Sequence, residues 1–106
     1  MAGKRLLELR SREYHRAVAD RLRREPHRLE LARERVRRWR EGGQLHPRYA
    51  DAWEEVLSRP LEGILTFLVD DSDAARELRD VSPFAAFLDY RERLRIWRDT
   101  KAQDVS

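Results

Sequence analysis

The amino-acid sequence predicts an all-α fold, a compact single-domain bundle of five to six short helices. Apolar residues recur at three- and four-residue intervals through most of the chain, as they do on one face of a helix. Prolines and a glycine pair divide this pattern into short segments, each of helical length. The chain has 106 residues, which suits one domain, and it contains no cysteine, which excludes disulfides and thiolate metal sites.

The first half of the chain predicts two helices separated by a break. Residues 4–24 form the first, with an apolar side centred on Tyr14. Glu25-Pro26 predicts the break, because the residue before a proline is disfavoured in the helical region. Residues 26–41 form the second helix, and Gly42-Gly43 suits its left-handed exit. The apolar stripe of the second helix consists of Leu29, Ala32, Val36 and Trp39.

Three shorter helices are predicted in the middle of the chain. The third and fourth lie at about 47–58 and 60–69, each beginning at a proline. The fourth is apolar on nearly every side, so we expect it at the centre of the core. An acidic turn over residues 70–73 leads into a helix at about 73–80, with Ser72 as its N-cap.

The block 81–99 contains four of the nine aromatic residues and two successive helix-start signals. Ser82-Pro83 predicts a short helix at 83–88, because a capping residue precedes a proline there. Asp89 and Glu92 resemble a capping box for a final helix at 90–100. In that helix Tyr90, Leu94 and Trp97 fall on one face, which we expect to be buried.

We therefore interpret the block 81–99 as the segment that holds the tertiary structure together. Replacing Trp97 should lower stability first, and partner binding only as a consequence. We expect one domain over residues 1–100 and a disordered tail over residues 101–106. The predicted core consists of Trp39, Trp53, Ile64, Leu65, Leu68, Phe84, Phe87, Leu94 and Trp97.

Charge is distributed unevenly along the chain, whose net charge is +3. Residues 1–43 carry 14 basic and 7 acidic residues, whereas residues 44–106 carry 9 basic and 13 acidic residues. This division suggests a polarised face that meets a partner. The candidate partner- or nucleic-acid-binding residues are Arg5, Arg12, Arg16, Arg23, Arg33 and Arg37.

Two kinds of partner fit the arginine-rich helices. A row of arginines could neutralise phosphates and give salt-dependent affinity for nucleic acid, or it could meet an acidic protein surface. Acidic residues three or four positions away also allow ion pairs within each helix, which is typical of a solvent-facing surface. The sequence contains no recognisable helix-turn-helix pattern.

Residues that could carry catalysis are scattered. His15, His27 and His46 lack the spacing of a zinc motif, and none of the serines lies in a nucleophile elbow. The acidic turn lacks the central glycine and terminal glutamate of a calcium loop. We therefore expect no catalytic residue, no metal site and no cofactor, and a stand-alone enzyme is the least favoured class.

The longest apolar run, residues 64–69, is far shorter than the ~20 residues of a membrane span. The N-terminus lacks the apolar segment of a signal peptide and carries acidic residues, unlike a transit peptide. We therefore expect no membrane partner and a cytoplasmic location.

Three segments share a pattern of helix starts and core residues: YHRAVADRLRREP, WEEVLSRPLEGIL and LRDVSPFAAFLDYRERLRIWR. Together they resemble a group of small bacterial helical proteins encoded beside toxins, zeta-type kinase-like toxins among them. The resemblance covers about residues 13–98, and Ala86 and Tyr90 stand where the group more often has Gly and Pro. The positions that fit the group's pattern are Leu78-Arg79, Ser82-Pro83-Phe84-Ala85, Glu92-Arg93 and Trp97-Arg98.

The resemblance implies an antitoxin-like, non-catalytic protein that binds a partner enzyme, its cognate toxin, and neutralises it by occlusion. On this hypothesis the arginine-rich helices face an acidic or nucleotide-binding surface of the partner. A nucleic-acid-binding transcriptional regulator is the alternative, and a homo-oligomer is left open.

Overall fold

Six α-helices make up the chain over residues 2–105, the range that a computed structural model describes, with side chains described for residues 3–103. No strand occurs in that range, so the predicted all-α fold is confirmed. In chain order the helices are α1 (Ala2–Arg24), α2 (Leu29–Glu41), α3 (Pro47–Leu57), α4 (Leu61–Leu68), α5 (Asp73–Arg79) and α6 (Tyr90–Val105).

The break between the first two helices is confirmed at Glu25, whose φ of −135° and ψ of 67° lie outside the helical region. The segment Pro26–Arg28 then forms a 3₁₀ turn, so α2 begins at Leu29 instead of residue 26. At the other end of α2, Gly43 has a φ of +67°, the left-handed conformation expected after the helix.

Two capping predictions agree with the structure. Ser72 Oγ accepts the Ala75 N–H at 3.2 Å, so Ser72 is the N-cap of α5. Asp89 and Glu92 form a reciprocal capping box at the start of α6, because each side chain accepts the other residue's backbone N–H, at 2.8 and 3.4 Å. These short helices therefore begin where the local sequence indicated.

The short helix predicted at 83–88 is wrong, because residues 80–89 form a series of turns. Ser82 Oγ accepts the Phe84 N–H at 3.1 Å, as a capping residue would. The Leu88 N–H, however, donates to the Tyr14 hydroxyl at 3.3 Å, and the Phe87 N–H is shared between that hydroxyl and the Phe84 carbonyl, each at 3.1 Å. We call residues 80–89 the turn segment.

The last helix is longer than predicted. Helix α6 continues to Val105, so residues 101–105 are helical where the sequence indicated a disordered tail. Ser106 lies outside the described residues. The longer α6 lies antiparallel to α1: Arg10 donates to Thr100 Oγ1 at 3.3 Å, and Arg21 forms an ion pair with Glu92 at 2.9 Å.

The core lies around α4 and the turn segment, as most of the predicted core residues indicated. Trp53 and Phe84 are fully buried, and their rings meet edge to face at 6.1 Å between centroids. The indole N–H of Trp53 donates to the Val81 carbonyl at 3.0 Å. The predicted core residues that are buried are Trp53, Ile64, Leu65, Leu68, Phe84 and Phe87.

Three predicted core residues lie outside the core. Leu94 and Trp97 of α6 are exposed, and Trp39 is half-buried. Helix α6 packs instead through Thr100, which is fully buried, and Ile96, which packs against the core cluster. Because Leu94 and Trp97 project roughly a quarter to a third of a turn away from that face, they point toward solvent.

The Tyr14 hydroxyl joins α1 to the turn segment. It donates to the Phe84 carbonyl at 2.6 Å and accepts the N–H groups of Phe87 and Leu88. Tyr14 is 6% exposed, so these three backbone groups have no ready access to replacement water. One side-chain oxygen thus satisfies a buried stretch of non-helical backbone.

Replacing Tyr14 by Phe should destabilise the fold by about 1–2 kcal/mol, because the ring remains but the buried Leu88 N–H loses its partner, while the Phe87 N–H keeps its hydrogen bond to the Phe84 carbonyl. Tyr49→Phe is the matched control, since the Tyr49 hydroxyl contacts the exposed side chains of Arg48 and Glu77. Its cost should be under about 0.5 kcal/mol. Urea unfolding followed by circular dichroism measures both, and equal costs would contradict the role assigned to Tyr14.

Candidate functional site

An open groove of about 750 Å³ lies between α1, the C-terminal end of α2, the turn segment and α6. Its apolar lining comes from Leu7, Trp39, Leu45, Val81, Ala85 and Trp97. Its polar and titratable lining comes from Arg10, Ser11, Tyr14, His15, Gln44, Arg79, Asp80, Ser82 and Arg93. A concave surface that combines apolar side chains with polar groups is a common form of binding site.

A row of large apolar side chains continues from this groove along α6. Tyr90 is 66% exposed, Leu94 is 44% exposed and Trp97 is 40% exposed, and their spacing of four and three residues puts them on one face. Leu7 of α1, 66% exposed, lines the groove together with Trp97. We call Leu7, Tyr90, Leu94 and Trp97 the apolar surface.

Trp97 is held in a defined position at the edge of the groove. The guanidinium of Arg10 lies over its ring, 5.4 Å from the centroid, and donates to the Trp97 carbonyl at 3.5 Å. The same guanidinium donates to Thr100. The indole is therefore supported on one side by α1 while much of its surface stays open to solvent.

His15 lies in the wall of the groove and is 3% exposed. Its Nδ1 lies 2.7 Å from the Ser11 carbonyl, which can only accept, so Nδ1 carries the proton in the neutral ring. Nε2 therefore accepts from Ser82 Oγ, also at 2.7 Å. Burial lowers the pKa of His15 to about 4; the hydrogen bond to Ser11 opposes this effect, and the nearby charge of Arg79 adds to it.

Arg79 is a buried arginine whose role is structural. It is 6% exposed, and its guanidinium donates to the carbonyls of Leu68 at 3.3 Å and Asp70 at 2.7 Å, at the end of α4. Burial, and then the positive charge of Arg12, lower the pKa of Arg79. Arg79 therefore provides hydrogen bonds to carbonyl groups at the C-terminal end of α4.

Four of the six candidate arginines contact acidic side chains. Arg12 pairs with Asp71 at 3.1 Å, and Arg33 pairs with Glu30 while donating to the Leu57 carbonyl at 2.9 Å. Longer contacts of 3.7 and 3.8 Å join Arg16 to Glu13, and Arg23 to Asp20 and Glu62. These pairs weaken the attraction of α1 and α2 for a phosphate backbone.

The remaining two candidates, Arg5 and Arg37, are exposed and have no ion pair or hydrogen bond among the described side chains. They also lie apart. Arg5 and Arg12 border one surface cavity with Asp71, whereas Arg33 and Arg37 border another. The structure therefore does not gather the six arginines into one site.

A second set of basic residues lies on α6, where the sequence reasoning had not placed a site. Within the described part of the chain, their side chains have no ion pair or hydrogen bond. They are Arg91, Arg93, Arg95, Arg98 and Lys101. The available signal was the run YRERLRIWR itself, in which basic residues alternate with the apolar row.

No protein-family model, no curated protein and no solved structure matches this chain. Among residues 3–103, no three His, Asp or Glu side chains come together in a way that could hold a metal ion. Within the described range, no helix combines the length and the apolar character needed to span a membrane.

Acidification should destabilise the fold between pH 7 and pH 5 through His15. In the unfolded state His15 has a pKa of 6.5, and in the folded state its pKa is about 4. The stabilisation that comes from the neutral, buried His15 is therefore complete above pH 6.5 and decreases as the pH falls toward 4. The loss should be about 2 kcal/mol by pH 5. Hydrogen bonds lower the pKa of Asp70 and Asp89, so these carboxylates stay charged across the interval.

His15→Gln removes the titrating group, so its free energy of unfolding should vary by less than about 0.5 kcal/mol over the same interval. Urea unfolding of both proteins at pH 7, 6 and 5 measures the difference. Equal pH dependence in the variant and the parent would show that His15 is not the buried neutral group described above.

Trp97→Ala should cost only about 1–2 kcal/mol of stability, because the ring is already 40% exposed. Trp53→Ala should cost about 3–5 kcal/mol, because Trp53 is fully buried. This reverses the expectation that Trp97 locks the core. Urea unfolding of the two variants provides the measurement, and a Trp97 cost equal to that of Trp53 would restore the original interpretation.

Proposed function

We propose that the protein is a non-catalytic interaction module that binds a partner protein through the groove and the apolar surface. The observation that carries this proposal is the exposure of Leu7 and Trp97, which line the groove, together with Leu94 and Tyr90 on the same face of α6 as Trp97. Scattered exposed apolar residues are ordinary, but neighbouring ones that border a groove are typical of a binding surface.

The chemistry of these side chains supports a protein partner. Tryptophan and tyrosine are enriched among residues that dominate binding energy, because they bury a large area with few rotatable bonds. Arg10 already supports the Trp97 ring from α1. The anchor therefore loses less conformational freedom on binding than an unsupported side chain would.

We further propose that the partner is an enzyme and that binding neutralises it by occlusion, as an antitoxin does. The sequence resemblance to helical proteins encoded beside toxins supports this step. The groove adds a means of attachment, since a domain seated through α1 and α6 could cover the entrance of an active site. A cytoplasmic location follows from the same proposal.

A nucleic-acid-binding regulator is the second candidate, and the basic residues of α6 favour it. Arg95 and Arg98 have no acidic partner among the described side chains, so they are available to phosphates. They stand beside large apolar residues, however, and four of the six arginines first assigned to this role contact carboxylates. A protein partner accounts for both the apolar row and the charges.

Co-expression with the product of the adjacent gene tests the proposal. The tagged chain should retain that product during purification and relieve the growth arrest that the product causes. The double variant Trp97→Ala/Leu94→Ala should weaken retention at least about tenfold, because both side chains belong to the apolar surface.

Leu31→Ala is the matched control, since Leu31 is 52% exposed but borders a separate cavity with Arg28 and Phe87. It should leave retention unchanged, and circular dichroism should show all variants folded. Failure of the adjacent product to co-purify would contradict the proposal. Salt-sensitive DNA binding that persists in the Trp97→Ala/Leu94→Ala variant would favour the regulator instead.

A further inference from the structure

We propose that the groove and the apolar surface bind one amphipathic α-helix of the partner, with an apolar face bordered by acidic residues. This inference rests on the proposed function and names the element of the partner that is recognised. Two features of the described residues carry it: the helical geometry of the unpartnered apolar rows, and the charge of the side chains around them.

The geometry favours a helix as the occupant. Helix α1 extends its core-facing row, Tyr14 and Ser11, one turn further to the exposed Leu7. Antiparallel α6 offers Tyr90, Leu94 and Trp97 along its open face. A third helix laid against two such rows would pack as helices pack in a bundle, ridges against grooves.

The charges favour an acidic border on that helix. Arg93 lines the groove, and Arg98 lies on the other flank of the apolar row, next to Trp97 and four residues after Leu94. Neither has an acidic partner among the described side chains. Among the described residues that line the groove, Asp80 is the only acidic one, so an acidic helix meets mainly positive charge.

A second copy of the chain is a less suitable occupant. Pairing two α6 helices would bring together Arg91, Arg93, Arg95, Arg98 and Lys101 of both copies. Like charges placed opposite one another at an interface oppose association. An acidic helix from a different protein removes this repulsion and still covers the same apolar side chains.

Three synthetic helical peptides with the same leucine face test the inference. Each has about 16 residues, the length of α6, and they carry glutamate, lysine or glutamine along the borders of the apolar face. Tryptophan fluorescence and calorimetry measure their binding to the full chain. The glutamate peptide should bind at least about tenfold more tightly than the lysine peptide, with the glutamine peptide between them.

Charge reversal in the protein separates recognition from simple hydrophobic adhesion. The double variant Arg93→Glu/Arg98→Glu should reverse the preference, so that the lysine peptide binds more tightly than the glutamate peptide. Trp97→Ala should weaken all three peptides at least about tenfold. Arg37→Glu and Leu31→Ala, which alter exposed residues of α2, should change neither the preference nor the affinity.

Binding of none of the peptides, or equal binding of all three, would overturn the inference. So would a homodimer in sedimentation that Trp97→Ala dissociates, because the occupant would then be a second copy. The two proposals fail separately. If the adjacent gene's product is retained through Trp97 but no peptide binds, the proposed function stands and the helical occupant is wrong. If the glutamate peptide binds as expected but the adjacent gene's product is not retained, the helical occupant stands and the proposed partner is wrong.

Discussion

The fold depends on satisfying the backbone of one buried, non-helical segment. Residues 80–89 cross the core between α5 and α6, where unpaired N–H and C=O groups would each cost free energy. The Tyr14 hydroxyl bonds three of them, and Ser82 links the Phe84 N–H to His15 of α1. With Trp53 donating to the Val81 carbonyl, side chains of α1 and α3 hold the segment from two sides. Phe84 can then occupy the centre of the core although it lies in no helix.

This arrangement explains why the two parts of the block 81–99 differ in burial. Its first part is anchored by side chains of other helices, and it alone supplies the buried rings Phe84 and Phe87. Helix α6 is attached to the rest of the fold by Ile96, Thr100 and polar contacts with α1. Its row of Tyr90, Leu94 and Trp97 therefore stays exposed to solvent. The fold tolerates the free-energy cost of exposing these side chains because Trp53 and α4 already form a well-packed core.

Local patterns in the sequence were sufficient for the helices and their caps, since those depend on residues within four positions of each other. Ser72, the Asp89–Glu92 box and the break at Glu25 are of this kind. The turns at 83–88 were missed because their decisive hydrogen bonds come from Tyr14, 70 or more positions away in the chain. The exposed face of α6 was not predicted for a similar reason. Apolar spacing defines a face of α6, but only packing against α1 decides which face is buried.

Counting arginines along the sequence does not show which of them are engaged within the fold. Arg79 and Arg33 complete the C-terminal ends of α4 and α3, and Arg12 neutralises Asp71. A guanidinium engaged in this way has already exchanged water for protein partners, so a ligand must displace those contacts to use it. Among the described side chains, Arg5, Arg37 and the basic residues of α6 have no acidic partner. Those of α6 carry the proposed binding mode because they adjoin Trp97 and Leu94, where apolar area would supply affinity and the basic border would select among partners. The proposed binding mode thus draws affinity and specificity from one face, whereas Arg12 and Arg33 of the basic N-terminal half contribute contacts within the fold.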